Sequence, residues 1–143
     1  MENTDKVNKR KNNDDSGQME LQVLAGMFSV SQVEDYSKVN LDAEYCFIGK
    51  TDEEKSLVCL SKDVPDNTIQ RSNDWRAFRI QGVLDFSLIG ILARISDTLA
   101  RHKVGLFAIS TFNTDYILVQ NKDYKRAVEA LREVGYRVTE NKL

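Results

Sequence analysis

The chain has 143 residues, 41% of them hydrophobic and 29% charged, with a formal net charge of −2. That length suits one compact unit or two small ones with a real core. A slightly acidic balance argues against a broad nucleic-acid footprint, which needs a basic face. No apolar run approaches the roughly 18 residues of a membrane-spanning helix, and no signal-peptide pattern follows the first residues. The expectation is a cytoplasmic protein with neither nucleic acid nor membrane as partner.

Residues 1–18 carry no periodic apolar pattern, and Lys6, Lys9, Arg10 and Lys11 are offset by Glu2, Asp5, Asp14 and Asp15. Such a stretch cannot bury enough apolar surface to offset the entropy of ordering it, so it reads as a disordered tail. Met19 opens the ordered part and is a candidate alternative translation start. Met19 to Val33 reads as a strand region built on Leu21, Val23, Leu24, Met27, Phe28 and Val30, with Gly26 as a bulge or bend. Asp35 to Asp42 is polar and short, a loop or one helical turn.

Glu44 to Gly49 and Ser56 to Leu60 then read as a hairpin turning at Thr51-Asp52-Glu53-Glu54. Cys46 and Cys59 are equidistant from its centre and can face each other across it. A cross-strand disulfide or redox pair is the sharper reading; two small buried hydrophobes in a reducing compartment is the one adopted. No further Cys or His lies nearby to complete a zinc site. Asp63 to Asn67, holding the single proline, and Arg71 to Asp74 are rich in turn formers. They read as a linker dividing a β-rich module, 19–70, from a second module, 71–143.

The second module is sharper. Trp75 to Gln81 alternates, with Phe78 and Ile80 on one face, and predicts a strand. Gly82 to Asp85 forms an exit loop, and Asp85 or Ser87 can cap the helix that follows. Leu88, Leu92, Ile95 and Leu99 give that helix one apolar stripe. Phe107 to Val119 is rich in aromatic and branched residues, interrupted by Asn113-Thr114-Asp115, and predicts a hairpin with a polar turn. Asp123 to Val134 predicts a second helix with its stripe on Ala127, Val128, Leu131 and Val134, ended by Gly135. Tyr136 to Thr139 is the last strand. The order βαββαβ predicts an α+β, ferredoxin-like fold with both helices on one face of a four-stranded sheet. The other face needs a cover: the β-rich first half is expected as that cover or as a lateral extension of the sheet, with a second copy of the chain as the next candidate.

Ser110, Thr111, Asn113, Thr114 and Asp115 set five hydrogen-bonding side chains at one end of an otherwise apolar hairpin, and function is expected there. An RNA-binding module would carry a basic-Gly-aromatic run, which is missing. Phe78-Arg-Ile-Gln-Gly-Val83 resembles the phosphate-cradling opening of acylphosphatases. Leu84, Asp85, Phe86 and Ser87 nevertheless stand where that chemistry needs an arginine, and an acid there opposes a phosphate. Lone His102, near the end of the first helix, has no nucleophile or acid at triad spacing and reads as a solvent-facing residue. With no metal cluster and no Gly-rich phosphate loop, neither an enzyme nor a cofactor is expected.

Trp75-Arg-Ala-Phe-Arg-Ile-Gln-Gly82, Leu84-Asp-Phe-Ser-Leu-Ile-Gly-Ile-Leu92 and Ile109-Ser-Thr-Phe-Asn-Thr-Asp-Tyr-Ile-Leu-Val119 resemble the ACT domain. The resemblance is to the branch that includes the cytosolic arginine sensors and small bacterial tandem-ACT proteins. It covers roughly 75–139, and 19–62 resembles the partly degenerate first ACT-like module of those proteins. It implies a free amino acid held at an interface between two ACT modules. Gly82, Leu84, Asp85 and Phe86 from the loop and Ser110, Thr111, Phe112 and Asp115 from the hairpin end would line the site. Backbone N–H groups at a helix start suit a carboxylate, and Asp115 suits an ammonium or guanidinium group. Leu88 stands where the arginine sensors carry an extra acid, so the identity of the amino acid stays open. The local alternatives are that Asp115 closes the turn, Asp85 caps the helix, and Ser110 and Thr111 are ordinary strand residues. The reading is a non-enzymatic amino-acid sensor, homodimeric through an open sheet face or edge, acting on an unidentified enzyme or protein. A protein-interaction or structural module without a ligand is the alternative.

Overall fold

The computed structural model describes residues 19–81 and 90–140. Its elements are β1 (Glu20–Val23), β2 (Phe28–Val33), β3 (Cys46–Lys50), β4 (Lys55–Leu60), β5 (Thr68–Gln81), α1 (Ile91–Arg101), β6 (Leu106–Ser110), β7 (Asp115–Gln120), α2 (Tyr124–Glu133) and β8 (Arg137–Glu140). They fall into two compact units, Gly26–Ala77 on the one hand and the residues before and after it on the other. The long strand β5 contributes its first ten residues to one unit and its last four, Phe78–Gln81, to the other.

In the Gly26–Ala77 unit the antiparallel ladder runs β3, β4, β2, β5. Val33, Leu57 and Cys59 form a small buried core, against which Tyr36, Val39, Cys46 and Val64 pack. Loop residues thus cover this face where helices would otherwise do so. The Tyr36 hydroxyl donates to the Ser56 carbonyl at 3.1 Å, and the Asn67 amide donates to the Asp35 carbonyl at 3.2 Å, which pins the cover down. Gly26 has φ +93°, and a Cβ there would stand 3.1 Å from Leu60 Cδ2, so the bend between β1 and β2 requires glycine.

Arg71 to Asp74, expected as a linker, is instead part of β5. Ser72 pairs with Val30 and Arg71 with Ser31, while Trp75 pairs with Phe28 across a register shift. Two residues of β5, Asn73 and Asp74, therefore oppose one of β2, Ser29, a β-bulge, and Asp74 takes φ +67° within it. Asp tolerates that left-handed region better than most residues, so composition typical of a turn is accommodated inside a strand.

In the other unit the expected α+β, ferredoxin-like arrangement is present, with one strand added. β7 pairs with both β6 and β5. β1 lies between β5 and β8, antiparallel to the first (Leu21 opposite Ile80) and parallel to the second (Leu21 opposite Val138). Met19 to Val33, expected as a strand region with a bulge or bend at Gly26, is the two strands β1 and β2 with the bend at Gly26 between them. A single core joins the sheet to both helices, with Leu21, Phe78, Ile80, Ile117 and Val119 meeting Ile95, Leu99, Ala127 and Leu131. Phe78 also stacks on Tyr124 with ring centroids 6.0 Å apart.

Both helices end in the same hydrogen-bonded device. After α1, Val104 N–H donates to Leu99 O and Lys103 N–H to Ala100 O; after α2, Tyr136 N–H donates to Leu131 O and Gly135 N–H to Arg132 O. This is the Schellman pattern, which needs a left-handed residue just past the end. Gly135 supplies φ +104° and Lys103 φ +59°. Val134, expected on the apolar stripe of α2, lies beyond its last turn and is 49% exposed. The described part of α1 starts after Gly90, which has no side-chain cap, and its buried stripe is Ile91, Ile95 and Leu99. Leu88, expected on that stripe, and Asp85 and Ser87, expected to cap, lie outside the described residues.

Candidate functional site

Strands β6 and β7 pair without a bulge from Leu106 opposite Val119 to Ser110 opposite Asp115. Thr111 closes the end: its N–H and its hydroxyl both donate to the Thr114 carbonyl, at 2.9 and 2.8 Å. The turn is therefore Thr111–Thr114, with Phe112 and Asn113 at its tip, and not Asn113–Asp115 as composition suggested. Asp115 is the first residue of β7. Its carboxylate makes no hydrogen bond or ion pair with another described residue, so it does not serve as the closing group of the turn.

Side-chain alternation fixes where that carboxylate points. Ile117 and Val119 face the core shared with the helices, and residues two apart on a strand share a face. Asp115 and its partner Ser110 therefore lie on the helix-bearing face. The Thr114 hydroxyl donates to the Ile80 carbonyl at 2.7 Å. This bond ties the hairpin end to the last residues of β5, the end of the sheet from which the chain sets out towards α1. Asp115 is half-buried, Ser110 and Thr111 are exposed, and the Phe112 ring stands fully in solvent. Four of the eight expected site residues, Ser110, Thr111, Phe112 and Asp115, are thus gathered at one sheet end. The other four, Gly82, Leu84, Asp85 and Phe86, lie outside the described residues.

Two features were not anticipated. Thr114 was counted among the polar residues of the hairpin but not as the group that moors it to β5; a hydroxyl in a turn gives no sign of which distant carbonyl it will meet. On the sheet face opposite this unit's helices, Arg79 donates to Gln22 Oε1 at 2.7 Å and Thr139 to Glu20 Oε1 at 2.7 Å. The signal for this polar row was the alternation of Glu20 and Gln22 with Leu21 and Val23.

His102, half-buried at the end of α1, has its Nδ1 2.9 Å from the Thr98 carbonyl. Among the described residues no group of three His, Cys, Asp or Glu side chains is placed to hold a metal ion, and no helix is long and apolar enough to cross a membrane.

A family model described as the ACT domain matches residues 70–133. No curated protein sequence matches the chain. Among solved structures, one from Agrobacterium tumefaciens is 24% identical with a TM-score of 0.79, the match covering 88% of this chain and 96% of that one. A Vibrio cholerae protein described as a possible transport protein is 18% identical with a TM-score of 0.64, covering 84% and 92%. The regulatory subunit of aspartate kinase from Thermus thermophilus, in its ligand-free form, is 8% identical with a TM-score of 0.56, covering 80% and 95%. At these identities the structures speak for the fold, and the family model speaks for the sequence. Residues 70–133 thus match the ACT-domain model in sequence, and the fold is that of the solved structures named above.

Proposed function

We propose that the chain is a non-enzymatic regulatory module that binds a free amino acid at an interface between ACT modules. The observation that carries this reading is the position of Asp115. A half-buried carboxylate without a described partner lies on the helix-bearing face, at the sheet end that the Thr114–Ile80 bond holds beside the exit of β5. Such a carboxylate suits the ammonium group of a zwitterion, while the N–H groups of a helix start suit its carboxylate. In this reading Ser110, Thr111 and Phe112 line the site from the hairpin, and Gly82, Leu84, Asp85 and Phe86 from the loop. The module works as a homodimer in the cytoplasm, and its output is passed to an enzyme or other protein.

Thermal melting against each of the twenty amino acids tests this. A ligand that binds only the native state at 100 times its Kd adds about 2.7 kcal/mol of stability. One or a few amino acids should raise the melting temperature, and Asp115→Ala should abolish that rise while leaving the unliganded value nearly unchanged. No shift with any amino acid at millimolar concentration would return the chain to the alternative of an interaction or structural module.

A further inference from the structure

Cys46 and Cys59 stand directly opposite each other on β3 and β4. The hydrogen-bond phase of the ladder says which kind of pair they form. Thr51 N–H donates to Glu54 O at 2.9 Å, so 51 and 54 occupy a hydrogen-bonded position. Positions alternate along an antiparallel pair, which makes 49/56 and 47/58 hydrogen-bonded and 46/59 not. The other side of β4 agrees. Ser61 N–H donates to Met27 O at 2.9 Å, so the odd-numbered residues of β4 direct their backbone groups towards β2, away from β3. Opposed residues at a non-hydrogen-bonded position have Cα atoms about 4.5 Å apart, inside the span of roughly 4.4–6.8 Å that a disulfide bridges.

The surroundings divide the two thiols into an entry point and a resolving group. Cys46 is partly exposed on β3, which pairs only with β4 in this unit; Cys59 is 2% exposed, and Cys46 packs against the small core that holds it. Burial and the nearby Asp63 carboxylate push both thiols up. Neither is therefore set up as a fast catalytic nucleophile.

We infer that Cys46 and Cys59 are a reversible cross-strand disulfide site, oxidised by a small disulfide of the glutathione type, that clasps β3 onto β4. The Cys46 thiolate attacks one sulfur of the oxidant, forming a mixed disulfide and releasing the first small thiol. Cys59 gives up its proton and attacks the Cys46 sulfur, and the second small thiol leaves. The protein loses two electrons and two protons, and the small disulfide becomes two thiols. This clasp is independent of the amino-acid site.

The full chain is incubated with glutathione disulfide at mildly alkaline pH, quenched in acid, unfolded, alkylated and read by intact mass and peptide mapping. The expected product is a monomeric chain with neither thiol alkylated and a peptide pair joined through Cys46 and Cys59, undone by dithiothreitol. Cys59→Ser should stop at one glutathione on Cys46, and Cys46→Ser should take up none. Hydrogen exchange should slow across β3 in the oxidised wild-type chain. Glutathione retained on Cys46 beside an alkylatable Cys59, a disulfide between chains, or two untouched thiols would each overturn the inference. The wild-type and Cys46→Ser arms decide it even if Cys59→Ser fails to fold.

Discussion

Replacing Thr114 with valine removes the 2.7 Å hydroxyl bond to the Ile80 carbonyl and keeps the β-branched shape. A neutral hydrogen bond of this kind is worth about 1 kcal/mol net, and the loss rises towards about 2 kcal/mol to the extent that the carbonyl is left without another donor. For a chain of this size 1–2 kcal/mol corresponds to a fall in melting temperature of roughly 3–8 °C. The local effect is the more telling one. Thr111 still closes the turn through the Thr114 backbone carbonyl, so the hairpin survives while its end is released from β5. Hydrogen exchange should therefore quicken at Ser110–Asp115 and not in α2, and the affinity for an amino-acid ligand should drop with it. Thr114→Ser keeps the hydroxyl and should restore most of both. Equal losses in the serine and valine variants, or unchanged exchange at the hairpin end, would refute the role given to this bond.

Lys103 occupies a left-handed position where Gly135 serves the other helix, so Lys103→Gly should stabilise the chain by about 0.5–1 kcal/mol while Gly135→Ala costs about 1–2 kcal/mol, both read by chemical denaturation. The lysine variant keeps the main-chain carbonyl to which Arg126 donates at 3.2 Å, so no contact confuses the comparison. Burial, Asp63 and Cys46 push the Cys59 thiol from its ordinary 9.0 to about 11, with Arg71 opposing them. The unfolded chain then loses that proton first. The contribution to stability is fully present below about pH 9 and is lost as pH rises to about 11. Denaturation midpoints of the reduced protein should fall across that window, and Cys59→Ala should flatten the slope.

What could be read from the residues was whatever depends on near neighbours. The alternation of Phe78 and Ile80, the spacing of Ile95 and Leu99, and the glycine after α2 each act within a turn or two of chain, and each is where the pattern put it. The pairing of Cys46 with Cys59 was legible for the same reason, since a hairpin's register follows from its turn. The insertion of β1 between β5 and β8 was not. Leu21 opposite Val138 is a contact across more than a hundred residues, and an alternating segment such as Glu20–Val23 is compatible with any half-buried place in a sheet. Arg71–Asp74 failed in the other direction. Its turn-forming residues were read at face value, whereas the ladder to β2 overrode them and used Asp74 to absorb the extra residue of a bulge.

The same division runs through the site. Asp115 was picked for its chemistry, and the count of two along β7 then determines its face, because Ile117 and Val119 are held in the core. Had the turn included Asp115, as composition suggested, its carboxylate would have been free to bond its own backbone, and the case for a ligand would be weaker. Thr111 takes that task through both its amide and its hydroxyl. The acid is thereby left on the first residue of a strand, where backbone pairing with Ser110 fixes its direction. A carboxylate so placed gains little for the fold from its charge, and that surplus is the physical ground for looking to a cationic group from outside the chain.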